Sequence, residues 1–189
     1  MSHSFFGIQI AVHSPPGDLW REELRQVVLE NQRDHAIIDK RAFYTRLTNL
    51  LNKIENKYTL GHWDYIVGEG ADREFDDWVA GLEATSAKDV VAPEEGGSGR
   101  DARELVVVSI VFLLEGGSNS DNTVAERCDL PESEWTARQT YVRLVATIRM
   151  LSFSSVQADG VYLVPGSVQD GLSLSDLQSE GWDYLKPMQ

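Results

Sequence analysis

The stretch of sequence that decides the fold is Glu104–Glu115, which reads ELVVVSIVFLLE. Its valines and isoleucine favour extended backbone, because branched side chains pack well on a pleated surface. The run is apolar at nearly every position instead of alternating, which indicates a strand that is buried on both faces. We therefore predict a strand over 104–115 at the centre of a sheet, ended by the glycines that follow it.

The sequence downstream of this strand predicts one helix and one further strand. Pro131 suits the first turn of a helix, and apolar residues then recur at helical spacing to about Ser152. The segment 160–165, GVYLVP, is typical of a strand. A strand, a helix and a strand of these lengths predict a right-handed βαβ unit in which 104–115 and 160–165 run parallel.

The N-terminal half predicts a strand followed by helices. Residues 4–13 place four apolar side chains on one face, as a half-buried strand does. Helical spacing recurs from Trp20 to Val28 and again from Phe43 to Tyr58, with Asp39 as a cap for the second helix and an end near Gly61.

Two shorter segments of this half complete the prediction. Residues 62–67 (HWDYIV) fit either a helical extension or a short strand, and 75–82 fit a short helix. The fold class that we predict is α/β (α+β): a small sheet of three or four strands that includes the C-terminal βαβ unit and is covered by the N-terminal helices.

We expect the 189 residues to form a single domain. Residues 86–103 are rich in glycine and acidic residues around their centre, PEEGGSG, so we predict a flexible loop there and a sub-domain boundary within it.

The charge and the cysteine count limit the classes of partner and compartment. A net charge of −13 argues against nucleic acid and against anionic lipid, both of which need clustered Lys and Arg. It suits a basic protein partner, or simply a charge that keeps the protein dissolved. Cys128 is the sole cysteine, so no internal disulfide forms, and the apolar run 105–114 is too short to insert in a membrane. We expect a cytoplasmic protein.

No motif for catalysis or cofactor binding stands out. The two glycine-rich stretches fit neither a phosphate-binding loop nor the Gly-x-Ser-x-Gly turn of serine hydrolases. Cys128 follows Arg127 and precedes a predicted helix, but Glu126 and Asp129 oppose formation of a thiolate. The four histidines show no metal-ligand spacing. We therefore expect no cofactor, no metal site and no catalytic residue identifiable from sequence.

Two groups of residues remain as candidates for a polar or interaction site. His62 and Asp64 flank Trp63, and on a strand they would share a face, as an acid/base pair requires. Trp182 and Tyr184 form an aromatic pair near the C-terminus that suits a recognition patch, although such a tail often folds back and buries its rings.

The C-terminal half carries a resemblance to a known family. The strand ELVVVSIVFLLEG, the helix TYVRLVATIRMLSF, the strand end GVYLVPG and the tail from DGLSLSDL to YLKP follow one another in that order. This pattern resembles domain-of-unknown-function family 1517, the family of the chloroplast fluctuating-light-acclimation protein, which tends to have Trp-Thr-Pro where this chain has Leu163-Val164-Pro165. The resemblance implies no catalytic residues.

Three functions are compatible with these observations. The first is a non-catalytic protein-interaction or accessory domain in a larger assembly, or in a homo-oligomer. The second is an enzyme whose site is assembled from His62, Asp64 and the loop 116–126. The third is a small-ligand sensor that binds at the ends of the parallel strands.

Overall fold

One antiparallel sheet organises the chain in this computed structural model, which describes residues 2–15, 17–30, 37–88, 102–166, 170–179 and 181–189. Within those ranges the sheet has five strands instead of the predicted three or four, in the order β4-β3-β1-β2-β5. Their bounds are β1 His3–His13, β2 Tyr58–Val67, β3 Leu105–Glu115, β4 Val156–Val164 and β5 Lys186–Pro187.

The predicted strand over 104–115 is confirmed as β3. Every one of its residues except Glu115 is buried, because β1 and β4 flank it and helices cover both faces. The middle of the sheet, however, is β1, whose register with β3 runs from His3 opposite Glu115 to His13 opposite Leu105.

Helices cover the two faces of the sheet unequally. Their bounds are α1 Leu19–Glu30, α2 Ile37–Lys53, α3 Ala71–Lys88, α4 Asn119–Cys128 and α5 Arg138–Ile148. The face that carries Ile8 and Ile10 packs against α1, α2, α4 and α5 and holds the largest apolar core. The opposite face, which carries Gln9, is covered by α3 and by the C-terminal segment, residues 170–179 and 181–189.

The predicted βαβ unit is wrong. Strand β4 pairs with β3 in the antiparallel sense, with Val107 opposite Val164 and Ser109 opposite Tyr162. The predicted helix over 131–152 is α5, which is shorter, and a second helix, α4, precedes it. Two helices instead of one separate the strands, so the chain comes back to the end of the sheet at which β3 finishes, and β4 begins there with Val156 opposite Leu114. The antiparallel sheet also removes the crevice at the ends of parallel strands in which a sensor ligand was expected.

Other boundaries of the N-terminal half also differ from the prediction. Helix α2 ends at Lys53, not near Gly61, and Asp39 lies in its first turn instead of capping it. The ambiguous segment 62–67 is part of strand β2. Residues 89–101, the centre of the predicted loop 86–103, lie outside the described residues.

The C-terminal segment folds back onto the sheet, as expected for a tail with apolar residues. Leu177, Trp182 and Leu185 are buried against Ala11 and Leu60. Among the described helices, none is both long and apolar enough to cross a membrane.

Candidate functional site

Strand β2 has an open edge over most of its length. Strand β5 pairs with it only at Leu60 and Gly61. The Gly68 amide donates to the His3 carbonyl of β1. Since backbone groups of alternate residues point to opposite sides of an antiparallel strand, those of Trp63, Tyr65 and Val67 point away from β1. No other strand in the described part of the chain pairs with them.

Asp64 shields part of this edge. Its carboxylate accepts a 2.8 Å hydrogen bond from the Tyr65 amide, one of the groups that point outward. A charged side chain on an exposed strand is a common device against uncontrolled strand pairing. Asp64 therefore satisfies an edge donor that would otherwise be free.

His62 and Asp64 interact only through the charge of the carboxylate and do not form the predicted hydrogen-bonded pair. As strand residues two apart, they share a face, yet no hydrogen bond joins them among the described contacts. Burial lowers the pKa of His62, and the Asp64 charge only partly opposes this. His62 instead stacks on Trp78 of α3 and meets Tyr184 edge to face, at centroid distances of 5.6 and 5.2 Å.

An apolar groove, which we call the edge groove, lies beside the open edge on the other face of β2. Its volume is about 600 Å³. Trp63 is central to it: its indole N–H donates to the Trp135 carbonyl over 3.2 Å, and the two rings meet at 77°. Trp135 is 46% exposed. The groove is lined by Gly61, His62, Trp63, Asp64, Tyr65, Ala125, Cys128, Asp129, Trp135, Thr136, Tyr141 and Lys186.

The thiol in the edge groove is not activated. Burial, and to a smaller degree the Asp64 charge, raise the pKa of Cys128 to about 12. A nucleophilic cysteine needs the opposite shift, since the thiolate is the reactive form.

The loop 116–126, the other part proposed for an enzyme site, holds a structural carboxylate. Asp121 accepts hydrogen bonds from Ser4 and Tyr65, both at 2.5 Å, and from the Gly117 amide at 2.7 Å. Ser118 caps α4 by accepting from the Asp121 amide. These bonds fix the start of α4 against the sheet and do not reach His62 or Asp64.

A second concavity lies on the opposite face of β2, between α3 and the C-terminal segment; we call it the aromatic cleft. Its volume is about 340 Å³. It brings together three of the five predicted site residues, His62, Trp182 and Tyr184. The lining residues are Gln9, His62, Asp77, Trp78, Gly81, Leu82, Thr85, Gly181, Trp182 and Tyr184.

Sequence reasoning missed three residues that shape these two sites. Gln9 is the one amide within the apolar run Phe5–Val12, and this interruption of the run is the signal that marks it. Trp78 lies within the predicted helix 75–82, and besides packing against the core it lines the aromatic cleft. Trp135 lies within the predicted helix 131–152 but precedes α5 in the structure.

The comparisons with known proteins do not assign the chain to a family. No protein-family model, no curated protein and no solved structure matches it. The resemblance to family 1517 therefore stays a prediction. Among the described residues, no three His, Cys, Asp or Glu side chains cluster as metal ligands would.

Proposed function

We propose that this chain is a non-catalytic interaction domain, which binds an extended, basic segment of a partner protein along the open edge of β2. The observation that carries the proposal is the outward direction of the backbone groups of Trp63, Tyr65 and Val67, next to an apolar groove. A peptide added to a sheet edge gains affinity from main-chain hydrogen bonds and specificity from pockets for alternate side chains.

The edge groove supplies such a pocket. Trp63 and Trp135 line it, and exposed tryptophans are the residues most enriched at energetically dominant contacts. Val67, at the end of the strand, is 61% exposed and offers a further apolar contact. A bound segment would cover apolar surface that water now contacts.

Charge favours a basic occupant. The edge groove contains the carboxylates of Asp64 and Asp129 and the amine of Lys186 among the described residues. The whole chain carries a formal net charge of −13 at pH 7. Opposite charge steers association and discriminates against acidic partners. A Lys or Arg on the bound segment would also compete for Asp64 and so release the Tyr65 amide.

The alternative of an enzyme has weaker support. The Cys128 thiol has a raised pKa, and the carboxylate of Asp121 is occupied by three donors. His62 lies among aromatic rings without a hydrogen bond to Asp64. None of these arrangements matches the nucleophile–base or base–orienter pairs that catalysis uses.

The test is selection of peptides from a random 12-residue display library on the full chain. Selected peptides are expected to alternate apolar residues with Lys or Arg, and to bind more weakly as salt concentration rises. Val67→Pro removes one outward amide, so we expect about tenfold weaker binding, the equivalent of one net hydrogen bond. Val67→Thr keeps the amide and is the matched control.

Two results would overturn the proposal. One is a set of selected peptides that binds wild type and Val67→Pro equally. The other is a concentration-dependent dimer in sedimentation velocity that Val67→Pro abolishes, because a second copy would then occupy the edge.

A further inference from the structure

A row of polar side chains crosses the face of the sheet that lies under α3 and the C-terminal segment. Tyr162 of β4 lies opposite Ser109 of β3, Ser109 lies opposite Gln9 of β1, and Gln9 lies opposite His62 of β2. Directly opposite residues in a sheet share a face. Two apolar clusters flank the row on this face, one around Leu177 and Trp182 and another around Phe5 and Val111. The row therefore interrupts a core that could have been continuous.

Gln9 keeps one buried polar atom without a hydrogen-bond partner, although its side chain also reaches Tyr184. It is 2% exposed, and its amide nitrogen donates to the Ser109 hydroxyl over 3.1 Å. Its Oε1 atom is buried and accepts no hydrogen bond within the described part of the chain. A buried acceptor without a donor costs roughly 1–3 kcal/mol. A ligand that donates to Oε1 would recover that cost.

The row opens into the aromatic cleft, with Gln9 among its lining residues. The rings around it form a continuous arc: Trp78 stacks on His62, His62 meets Tyr184, and Tyr184 lies 6.4 Å from Trp182. On the α3 side, a Cβ built at Gly81 would have no atom within 4 Å, so the helix leaves open space there.

Three polar groups of the cleft can accept a hydrogen bond from a ligand. Gln9 offers Oε1, Asp77 offers a carboxylate, and His62 as a neutral imidazole offers a ring nitrogen. No Lys or Arg is among the described residues that line the cleft. Aromatic faces attract cations through their quadrupole, and Trp does so most strongly.

We propose that the aromatic cleft binds a small organic ammonium ion that also carries a hydrogen-bond donor. Its alkylated nitrogen lies against Trp78, Trp182 and Tyr184, and its donor binds Oε1 of Gln9. Asp77 adds a compensating charge at the cleft. A volume of about 340 Å³ accommodates a ligand of this size but excludes a folded partner.

This site is separate from the peptide-binding edge in residues and in chemistry. The edge groove lies on the opposite face of β2, and of the two sets of lining residues only His62 belongs to both. Failure of one proposal therefore leaves the other standing.

The test uses choline as the cationic probe and 3,3-dimethyl-1-butanol, its uncharged carbon analogue, as the neutral one. Isothermal titration of the full chain, together with tryptophan emission, reports binding. We expect saturable binding of choline and about tenfold weaker binding of the alcohol, which corresponds to a partly desolvated cation–π contribution.

Two variants separate the parts of the site. Gln9→Leu removes the acceptor, so it should weaken choline about tenfold while leaving tetramethylammonium, which has no donor, unchanged. Tyr184→Leu should weaken both cations, whereas Tyr184→Phe keeps the ring and should retain binding. Circular dichroism of each variant verifies that the fold persists.

Three outcomes would overturn the inference. The first is an alcohol that binds as tightly as choline. The second is the absence of a saturable choline signal up to tens of millimolar. The third is a Gln9→Leu variant that still binds choline more tightly than tetramethylammonium by the wild-type factor.

Discussion

The Tyr65 hydroxyl donates a 2.5 Å hydrogen bond to the Asp121 carboxylate and so joins β2 to the first turn of α4. Asp121 is only 6% exposed. Burial acts to raise its pKa, but hydrogen bonds from Ser4, Tyr65 and the Gly117 amide outweigh burial, and the pKa lies below its ordinary value. A buried carboxylate is thus held by three donors.

Replacing this carboxylate should destabilise the fold. Asp121→Ala leaves the Ser4 and Tyr65 hydroxyls and the Gly117 amide without their acceptor. We expect a loss of about 2–3 kcal/mol in the free energy of unfolding. Urea denaturation measures it. Asn122→Ala, at the exposed next position, should change stability by less than about 0.5 kcal/mol. Equal losses in the two variants would contradict the structural role of Asp121.

A glycine of β2 should tolerate no side chain. A Cβ at Gly61 would lie 2.3 Å from Tyr141 and 2.5 Å from Met188. Gly61→Ala should therefore displace the C-terminal segment or α5, with a cost of roughly 1–3 kcal/mol. Gly81→Ala is the control, because its Cβ meets nothing within 4 Å in α3 and helix propensity favours Ala by about 1 kcal/mol. In thermal unfolding, Gly61→Ala should lower the melting temperature and Gly81→Ala should raise it. A change of the same sign in both variants would refute the predicted contact.

The sequence predicted the elements whose patterns are strong. Strand β3 was identified because its apolar run is nearly unbroken, and β1 because Phe6, Ile8, Ile10 and Val12 fall on one face. The direction of β4 could not be predicted, since it depends on α4. That helix has the sequence NSDNTVAERC and buries one large apolar residue, Val124. It therefore lacks the amphipathic stripe from which a helix is predicted.

The site was predictable only in part, for a related reason. His62, Trp182 and Tyr184 were singled out as unusual residues, and they do meet in the aromatic cleft. Their meeting depends on the register of β1 with β2 and on the path of the C-terminal segment. Neither is encoded in local spacing, because both result from long-range packing. Gln9 acquires its significance only from the strands on either side of it.

The thiol of Cys128 should be nearly inert. Burial raises its pKa from the ordinary value of 9.0 to about 12, so at neutral or mildly alkaline pH the thiolate fraction is far below that of an exposed cysteine. Alkylation by iodoacetamide at pH 8 should be slower by more than about tenfold in the folded chain than in urea. An alkylation rate in the folded chain close to that in urea would mean that the thiol is reactive, and it would support the enzyme alternative.

The pKa of His62 predicts how stability and ligand binding change below neutral pH. Burial lowers this pKa below 6.5, with Lys186 acting in the same direction, while the charges of Asp64 and Glu74 oppose the shift. The unfolded chain therefore binds a proton as pH falls through 6.5, before the folded chain does, and stability decreases over that interval. The His62→Gln variant should therefore lose less stability than wild type between pH 7.5 and pH 5.5, as measured by urea titrations.

An ammonium ion in the aromatic cleft would disfavour the imidazolium further, so saturating choline should lower the pKa of His62 in an NMR titration. An unchanged or raised pKa in the presence of choline would mean that the cation does not lie beside this ring.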